Sequence, residues 1–504
     1  MYRKLFVTAI TLSLVLTGCA PRYIKQQIIP VASERLASQI DMLLSGPEFS
    51  TATIGILVKS LDNGEILYHH NAEKLLMPAS NEKIPTSSVA LMKFGPDFRY
   101  QTRLFTNGIV ENGALTGDLI IVGSGDPSIG QRFCEDVDSC VIFKDWITTL
   151  ADLNIKEIHG NIIGIDDIFD DEHIGYGWTF DDLSYDYSAE ISGLMLNENS
   201  AAVTLSIDST SNDFQFSVSP DYGYVTYRTN ITIIDDDDAE TSINVFRETK
   251  SNLVTFSGTM RVGDKITEEI AIHNPTLYFL SGFAHELMAN GIKIKGQLID
   301  SDDLELSINL DNLRLLHIHT SPPFSEIVKI LMKESQNLYA ESFVKLLGYH
   351  FGESGRFVEG EAVIKETLLR FGLDDNSYQY KDGSGLSRYN YISPAQVVKI
   401  LRGMHLHRYG KIFRESLPVA GIDGTLGYRM RGTSAEGKIY AKTGTISNVR
   451  CLSGYATTKN NENLVFSIMV NNFICSVQVV MDLQDQICIA LTSFDRDETT
   501  LQSR

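Results

Sequence analysis

Basic residues are the first shortage. The 504-residue chain carries 43 Lys and Arg against 64 Asp and Glu, a formal net charge of −21. An acidic surface repels phosphate backbones, so no nucleic-acid partner is expected. Part of the excess is local. Asp235-Asp236-Asp237-Asp238 follows the apolar run Ile231–Ile234 and reads as a solvated loop, because four consecutive carboxylates do not face one point as a calcium site requires. Cysteine is scarce too: there are six and no C-x-x-C pair, which argues against a zinc or thioredoxin-like centre. The densest histidines, His69-His70 and His317-Ile318-His319, lack the H-E-x-x-H spacing and a neighbouring ligand cluster, and read as strand or turn residues. Gly123-Ser124-Gly125 lacks the third glycine of a dinucleotide loop and the lysine of a phosphate-binding loop. No metal and no other cofactor is therefore expected. Internal repeats, low-complexity tracts and membrane-length apolar runs are missing as well. With 43% hydrophobic and 21% charged residues, what remains is an ordinary globular composition, enough for about three domains.

What is present begins with an address. Arg3 and Lys4 precede an apolar run from Leu5 to Leu16, followed by Thr17-Gly18-Cys19. A basic start, an apolar run too short to span a bilayer and then small residues form the export-signal pattern. Leu16-Thr17-Gly18-Cys19 also resembles the lipobox of bacterial lipoproteins. That resemblance implies removal of residues 1–18 as a signal peptide, lipidation of Cys19 and a stable membrane anchor of several acyl chains. The chain would then be exported and periplasmic, and Ala20 after the cysteine favours the outer membrane. Plain secretion with cleavage near Ala20 is the alternative. With Cys19 lipidated, five cysteines remain, so at least one is unpaired. Cys134 and Cys140 either close a small loop in an oxidising periplasm or stay as buried thiols, and Cys451 lies in an apolar strand as a buried thiol.

Periodicity divides the rest. Thr53–Val58 is apolar and β-branched, Asp62-Asn63-Gly64 supplies a turn, and Ile66–Tyr68 completes a hairpin. A helix is expected from Ser80 through Met92, with Pro85 tolerated in its first turns. Between about 100 and 310 the chain has short β-rich runs (Leu119–Val122, Ile162–Ile165, Val203–Ile207, Ile231–Ile234, Leu304–Ile308) punctuated by Gly, Asn and Asp. Helical spacing returns at Pro322–Leu347, Glu361–Phe371 and Pro394–Met404. The end reads as strands Lys438–Thr445, Cys451–Thr457 and Leu464–Val470, then a helix over Val477–Leu491. A hairpin at one end and a meander plus helix at the other predict a single antiparallel sheet built from both chain ends and flanked by helices, an α/β (α+β) fold interrupted by a β-rich insertion.

Three polar signatures carry chemistry. Ser80-Asn81-Glu82-Lys83 puts a hydroxyl and an amine three residues apart, one helical turn from each other. Ser335-Gln336-Asn337 presents a second hydroxyl and an amide on a short turn. Lys442-Thr443-Gly444 lies on a predicted strand, where the glycine allows a substrate backbone close approach. S-x-x-K, S-x-N and K-T-G occur together in β-lactamases and penicillin-binding proteins. Each alone is weak: Ser342-Phe343-Val344-Lys345 is a second S-x-x-K, and Ser242-Ile243-Asn244 and Ser307-Ile308-Asn309 repeat S-x-N. The first sits among apolar residues of a helix, and both triplets fall in alternating strands. Order and setting select Ser80, Ser335 and Lys442.

The runs Pro78-Ala79-Ser80-Asn81-Glu82-Lys83, Ser335-Gln336-Asn337-Leu338-Tyr339-Ala340-Glu341 and Ala441-Lys442-Thr443-Gly444-Thr445 resemble those of the class C low-molecular-mass penicillin-binding proteins. These are the D-alanyl-D-alanine carboxypeptidases/endopeptidases of peptidase family S13, the penicillin-binding protein 4 type. Gly123-Ser124-Gly125-Asp126-Pro127 and Asp382-Gly383-Ser384-Gly385-Leu386-Ser387-Arg388 are similar too, and the likeness runs from about residue 35 to 495. It implies a transpeptidase/β-lactamase-like domain from residues 19–98 and 310–504, interrupted by an inserted domain II (99–192 and 272–309) that is itself interrupted by a domain III (193–271). The separation of 255 residues from Ser80 to Ser335 fits that nesting and exceeds what a compact β-lactamase needs.

Acyl transfer needs a nucleophile, a base, an oxyanion hole and a proton donor for the leaving amine. Ser80 is the expected nucleophile, and a neutral Lys83 its base, with burial and Lys442 both opposing a charge on Lys83. Ser335, held by Lys442, would pass the proton to the departing D-alanine. Asn337 would bond Lys83 and the substrate amide, Thr443 and Thr445 the terminal carboxylate, and the N–H groups of Ser80 and Thr445 the oxyanion. The resemblance further implies a pocket for a diaminopimelate side chain near Asp182, Tyr187 and Arg388, an acid for its ammonium and an arginine for its carboxylate. Alternatively Asp182 is a turn residue and Arg388 a surface ion pair. Ile446 and Ser447 occupy positions that vary within the family. Tyr389, Tyr391 and the Trp178 region suit core or rim packing better than a sugar platform. The implied partners are peptidoglycan stem peptides and cross-links, with β-lactams as covalent inhibitors. The competing readings are a β-lactamase or esterase on the same scaffold, for which no water-activating base stands out, and an inert wall-binding lipoprotein.

Overall fold

The computed structural model describes residues 31–133, 141–211, 213–236, 238 and 240–496. Cys19, the export segment, Cys134 and Cys140 lie outside these residues. A five-stranded antiparallel sheet joins the two chain ends in the order Ile439–Ile446, Val449–Thr457, Asn463–Asn471, Thr53–Ser60, Ile66–His70. Its central strands are buried on both faces, which explains their near-continuous apolar runs. On one face lie the helices Val31–Leu44 and Val477–Ser493 over a core that includes Ile56, Leu452, Phe466 and Ile487. On the other lie Lys83–Phe94, Phe324–Glu334, Asn337–Phe351, Phe357–Leu369 and Pro394–Leu406. The last begins on a reciprocal cap: Ser393 Oγ accepts from Gln396 N, Gln396 Oε1 accepts from Ser393 N, and Pro394 fills the first helical position.

The expected helix over Pro322–Leu347 is two helices. Its apolar spacing continues through the break, but Ser335 takes a left-handed conformation (φ 65°) and Gln336 an extended one, so the chain turns between Glu334 and Asn337. Ala79, just before Ser80, is also left-handed (φ 47°). Such conformations cost of order 1–3 kcal/mol and persist where surrounding structure holds them. A short 3-10 turn, Ala79–Glu82, then feeds the helix that starts at Lys83.

The insertion carries its own sheets. Leu298–Asp300, Ile162–Ile165, Leu119–Val122, Gln101–Thr106 and Arg314–Thr320 form a five-stranded mixed sheet beside a smaller four-stranded one. Two three-stranded sheets follow, one around Ser200–Ile207 and one around Leu253–Arg261. Arg314–Thr320 pairs with Gln101–Thr106, and the chain joins the helical layer at Phe324. Leu304–Ile308 is not a strand. Leu304 and Ile308 pack instead from a loop against Phe105, Val122 and Ile165, so their apolar character reflects cover rather than pairing. Ser307-Ile308-Asn309 is accordingly in a loop, whereas Ser242 begins a true strand. Cys451 and Cys488 are buried free thiols and Cys475 is a partly exposed one. Among the described residues no helix is long and apolar enough to cross a membrane.

Candidate active site

A cleft of about 680 Å³ opens between the helical layer and the insertion, and Ser80, Ser335, Asn337, Thr443 and Thr445 line it. Lys83, Lys442 and Gly444 are buried just behind. Residues from opposite parts of the chain thus meet because one turn of helix carries Ser80 and Lys83, a helix break carries Ser335 and Asn337, and an edge strand carries Lys442 to Thr445.

Lys83 Nζ reaches three oxygens: Ser80 Oγ at 3.0 Å, Asn337 Oδ1 at 2.5 Å and the Ser384 carbonyl at 2.7 Å. Burial lowers its pKa to about 7 against the opposing pull of Asp382 and Glu341. A neutral amine has two N–H groups and one lone pair. The carbonyl oxygens of Asn337 and Ser384 can only accept, so they take both N–H groups and leave the lone pair for the Ser80 hydroxyl. The Asn337 amide is oriented from its far side, where Nδ2 donates to the Tyr187 carbonyl at 2.6 Å. Its nitrogen therefore meets the insertion, not an open place for substrate alone.

Lys442 Nζ donates to Ser335 Oγ at 2.8 Å and to the Thr443 carbonyl at 2.9 Å. Burial and then the Lys83 charge hold its pKa well below the usual lysine value. Burial and the mutual repulsion of the two amines both oppose a second charge in this pair. Gly444 is close-packed: a Cβ there would lie 2.6 Å from the Pro78 carbonyl and 3.2 Å from Asn81 N, so the glycine admits the segment that carries Ser80. Asn81 Nδ2 ties the same two segments by donating to the Lys442 carbonyl at 2.8 Å. Thr443 Oγ1 bonds Thr425 Oγ1 at 2.8 Å.

Asp182, Tyr187 and Arg388 all line the cleft, with Ile446 and Ser447. Asp182 ends a short 3-10 turn and accepts from Thr179 Oγ1 and from Tyr187 OH, at 2.7 and 3.2 Å. Arg388 donates to the Ser447 carbonyl at 3.2 Å rather than joining a carboxylate. Trp178 is partly buried and donates to Asp382, and Tyr389 is exposed at the rim beside Tyr176.

Sequence reasoning missed the supports behind Lys83. Asp382 accepts from Trp178 Nε1, Ser384 Oγ, Gly385 N, Ser387 N and Asn390 Nδ2, which fixes the loop that offers the Ser384 carbonyl. Glu341 accepts from Gly383 N and Ser384 N; burial, then Asp382, raises its pKa to about 8. An acid followed by Gly-Ser-Gly is the available signal, since such a run folds its N–H groups back on the carboxylate. Glu82 is buried with neither carboxyl oxygen hydrogen-bonded among the described residues, and burial, then Asp382 and Glu341, raise its pKa. Its folded form holds a proton that the unfolded form releases above about pH 4.5, so it subtracts stability as pH rises. Glu82→Met is expected to raise the melting temperature more at pH 8 than at pH 5, a difference that thermal scans at the two values would read.

Residues 36–493 match the D-Ala-D-Ala carboxypeptidase 3 (S13) family. The chain belongs to the S13 family. It is a serine-type D-Ala-D-Ala carboxypeptidase of the penicillin-binding kind. This S13 peptidase is 29% identical over 477 residues to the D-alanyl-D-alanine carboxypeptidase of Actinomadura sp., covering 91% of this chain and 85% of the relative. Its fold is that of penicillin-binding protein 4 from Haemophilus influenzae, with TM-score 0.76 and 22% identity over 90% of this chain and 97% of the other. The same H. influenzae protein complexed with a β-lactam matches with TM-score 0.70 and 21% identity, covering 91% and 98%. The mixed architecture, an antiparallel sheet flanked by helices and interrupted by β-rich sheets, is as expected.

Proposed function

We propose that this S13 peptidase cleaves the terminal D-Ala-D-Ala bond of peptidoglycan stem peptides, and the D,D-bond of cross-links, through an acyl-enzyme on Ser80, and that penicillins acylate the same residue. The observation that carries this reading is the Lys83 environment, in which two acceptor-only oxygens leave the amine lone pair to Ser80. Lys83 takes the Ser80 proton as the hydroxyl attacks the carbonyl carbon. The amide C–N bond breaks as Ser335, held by Lys442, relays to the departing amine the proton that Lys83 took from Ser80, leaving Lys83 neutral. Water then attacks the ester, returning one proton to Ser80 through Lys83 and releasing the acid. The oxyanion would sit between the N–H groups of Ser80 and Thr445. Support for the second comes from the hairpin: Ser447-Asn448 form a two-residue turn closed by Ile446 and Val449, so the alternation of the ladder turns Thr445 N–H away from its partner strand and toward the open edge. Thr443 and Thr445 would bind the terminal carboxylate, and Asp182, Tyr187 and Arg388 a zwitterionic side chain two residues earlier in the stem. The H. influenzae relative solved with a β-lactam supports penicillin sensitivity. The three-part domain division, with the catalytic unit made from both chain ends, the export signal, the lipid on Cys19 and a periplasmic, outer-membrane location belong to the same proposal.

The test is release of D-alanine from a stem pentapeptide and cleavage of a cross-linked dimer, each with and without penicillin. Both reactions are expected, and penicillin should stop both. Persistent labelling separates this from a β-lactamase, which would regenerate quickly. Absence of D-alanine release would overturn the proposal.

A further inference from the structure

We propose that Glu198, on the insertion, is a positioning residue that holds the Ser335-Gln336-Asn337 turn in register with Ser80 and Lys83. The inference rests on the acyl-transfer reading above and extends it to a part of the chain that touches neither substrate nor nucleophile.

The turn sits at a helix break and is not held by helix bonds of its own. Ser335 is anchored by Lys442, and Asn337 by Lys83 and the Tyr187 carbonyl. The middle residue has one anchor outside the catalytic unit: Gln336 Nε2 donates to Glu198 Oε2 at 2.7 Å. Two residues into the helix that follows, the buried Tyr339 OH donates to Glu198 Oε1 at 3.0 Å. One carboxylate thus grips the turn and the first helical turn beyond it.

That carboxylate is itself fixed. Arg132 binds it in a fork, Nε to Oε1 at 2.5 Å and Nη2 to Oε2 at 3.0 Å, so each oxygen serves two donors and the partly buried charge is neutralised. The backbone beneath it is strained: Asn197, Glu198 and Asn199 are three successive residues at positive φ (48°, 57° and 51°). Asparagine tolerates this conformation, but glutamate gains nothing from it locally. The two neighbours lock the loop, Asn197 Oδ1 accepting from Gln131 N and Asn199 accepting from Leu196 N while donating to the Glu190 carbonyl. Strain maintained by its surroundings, aimed at the turn that carries two site residues, is the arrangement expected of preorganisation. Gln336 also lies at the wall between the catalytic cleft and a second cavity of about 420 Å³ that Arg132 and Glu198 line, so the link spans the junction of insertion and catalytic unit.

The experiment measures penicillin acylation, and kcat and KM for D-alanine release, in the wild-type chain and in Glu198→Ala, Glu198→Gln, Gln336→Ala and the double variant Glu198→Ala/Gln336→Ala. Labelling of Ser80 in the wild type is the control: its absence overturns the acyl-transfer reading and this inference with it. Given that labelling, Glu198→Ala should lower kcat and the acylation rate about tenfold with KM within about twofold, because the turn is displaced while the ground-state contacts remain. Glu198→Gln, which keeps an acceptor, should recover part of the loss. The double variant should lose no more than the worse single, since both changes cut one link. If Glu198→Ala fails to fold, Gln336→Ala cuts the same bond without touching the strained loop and should show the same fall in kcat. Wild-type kcat in the folded single variants, a change confined to KM, or losses that multiply in the double variant would each overturn the proposal.

Discussion

Lys83→Met is expected to slow acylation of Ser80 by about a thousandfold while leaving the chain folded. Methionine fills the same buried space without a basic nitrogen, and removing a general base typically costs 10² to 10⁴ in rate. The pH dependence identifies the cause. Burial brings the Lys83 pKa from the ordinary 10.5 down to about 7, so the amine is charged and unable to accept a proton below that value and free above it. Wild-type acylation should therefore climb about tenfold per pH unit from pH 5 to pH 7 and level off beyond. Lys83→Met should remove that limb as well as the rate. Fluorescent-penicillin labelling followed over time at a series of pH values reads both. A wild-type rate that stays flat from pH 5 to pH 8 would mean that Lys83 is not the base.

Gly385→Ala is expected to be as damaging from outside the three motifs. Gly385 has φ +85°, and a Cβ there would lie 1.8 Å from the Ala79 carbonyl oxygen and 3.0 Å from Ser80 N. Both neighbours are backbone, so neither can swing aside as a side chain would. Something larger must move, either the left-handed Ala79 that sets Ser80 or the loop whose Ser384 carbonyl anchors Lys83. A loss of about 3 kcal/mol or more in denaturant unfolding is expected, with D-alanine release reduced more than about a hundredfold. Gly372→Ala separates conformation from collision. It has a similar φ of +77° with nothing within 4 Å of its Cβ, so it should cost about 1–2 kcal/mol and leave activity intact.

The residues proposed to carry the chemistry were readable because acyl transfer restricts their types. Ser80, Lys83, Ser335, Asn337, Lys442 and Thr443 could be picked out by order and setting from near copies such as Ser342 and Lys345. Those copies prove structural: Ser342 Oγ donates to the Leu338 carbonyl and Lys345 pairs with Asp170. The sheet built from both chain ends was readable for a similar reason, since strands buried on both faces admit little but apolar residues. The short turn at Ser335-Gln336-Asn337 was read from its polar residues, but hydrophobic spacing runs across it and made the flanking helices look like one. Leu304 and Ile308 misled because apolar side chains that cover a sheet from a loop look like those that form one. The contacts that orient Asn337 and Gln336 come from the Tyr187 carbonyl and from Glu198. A main-chain oxygen has no sequence signature, and an acid well over a hundred residues away pairs with its partner only in the folded chain.

Ser80 Oγ is the atom expected to become acylated. Peptide mapping by mass spectrometry of the penicillin-treated chain measures this directly. The adduct should fall on the peptide containing Ser80, in one equivalent per chain, and should vanish in Ser80→Ala while Ser342→Ala carries it undiminished. An adduct on any other residue, or one that persists in Ser80→Ala, would contradict the account.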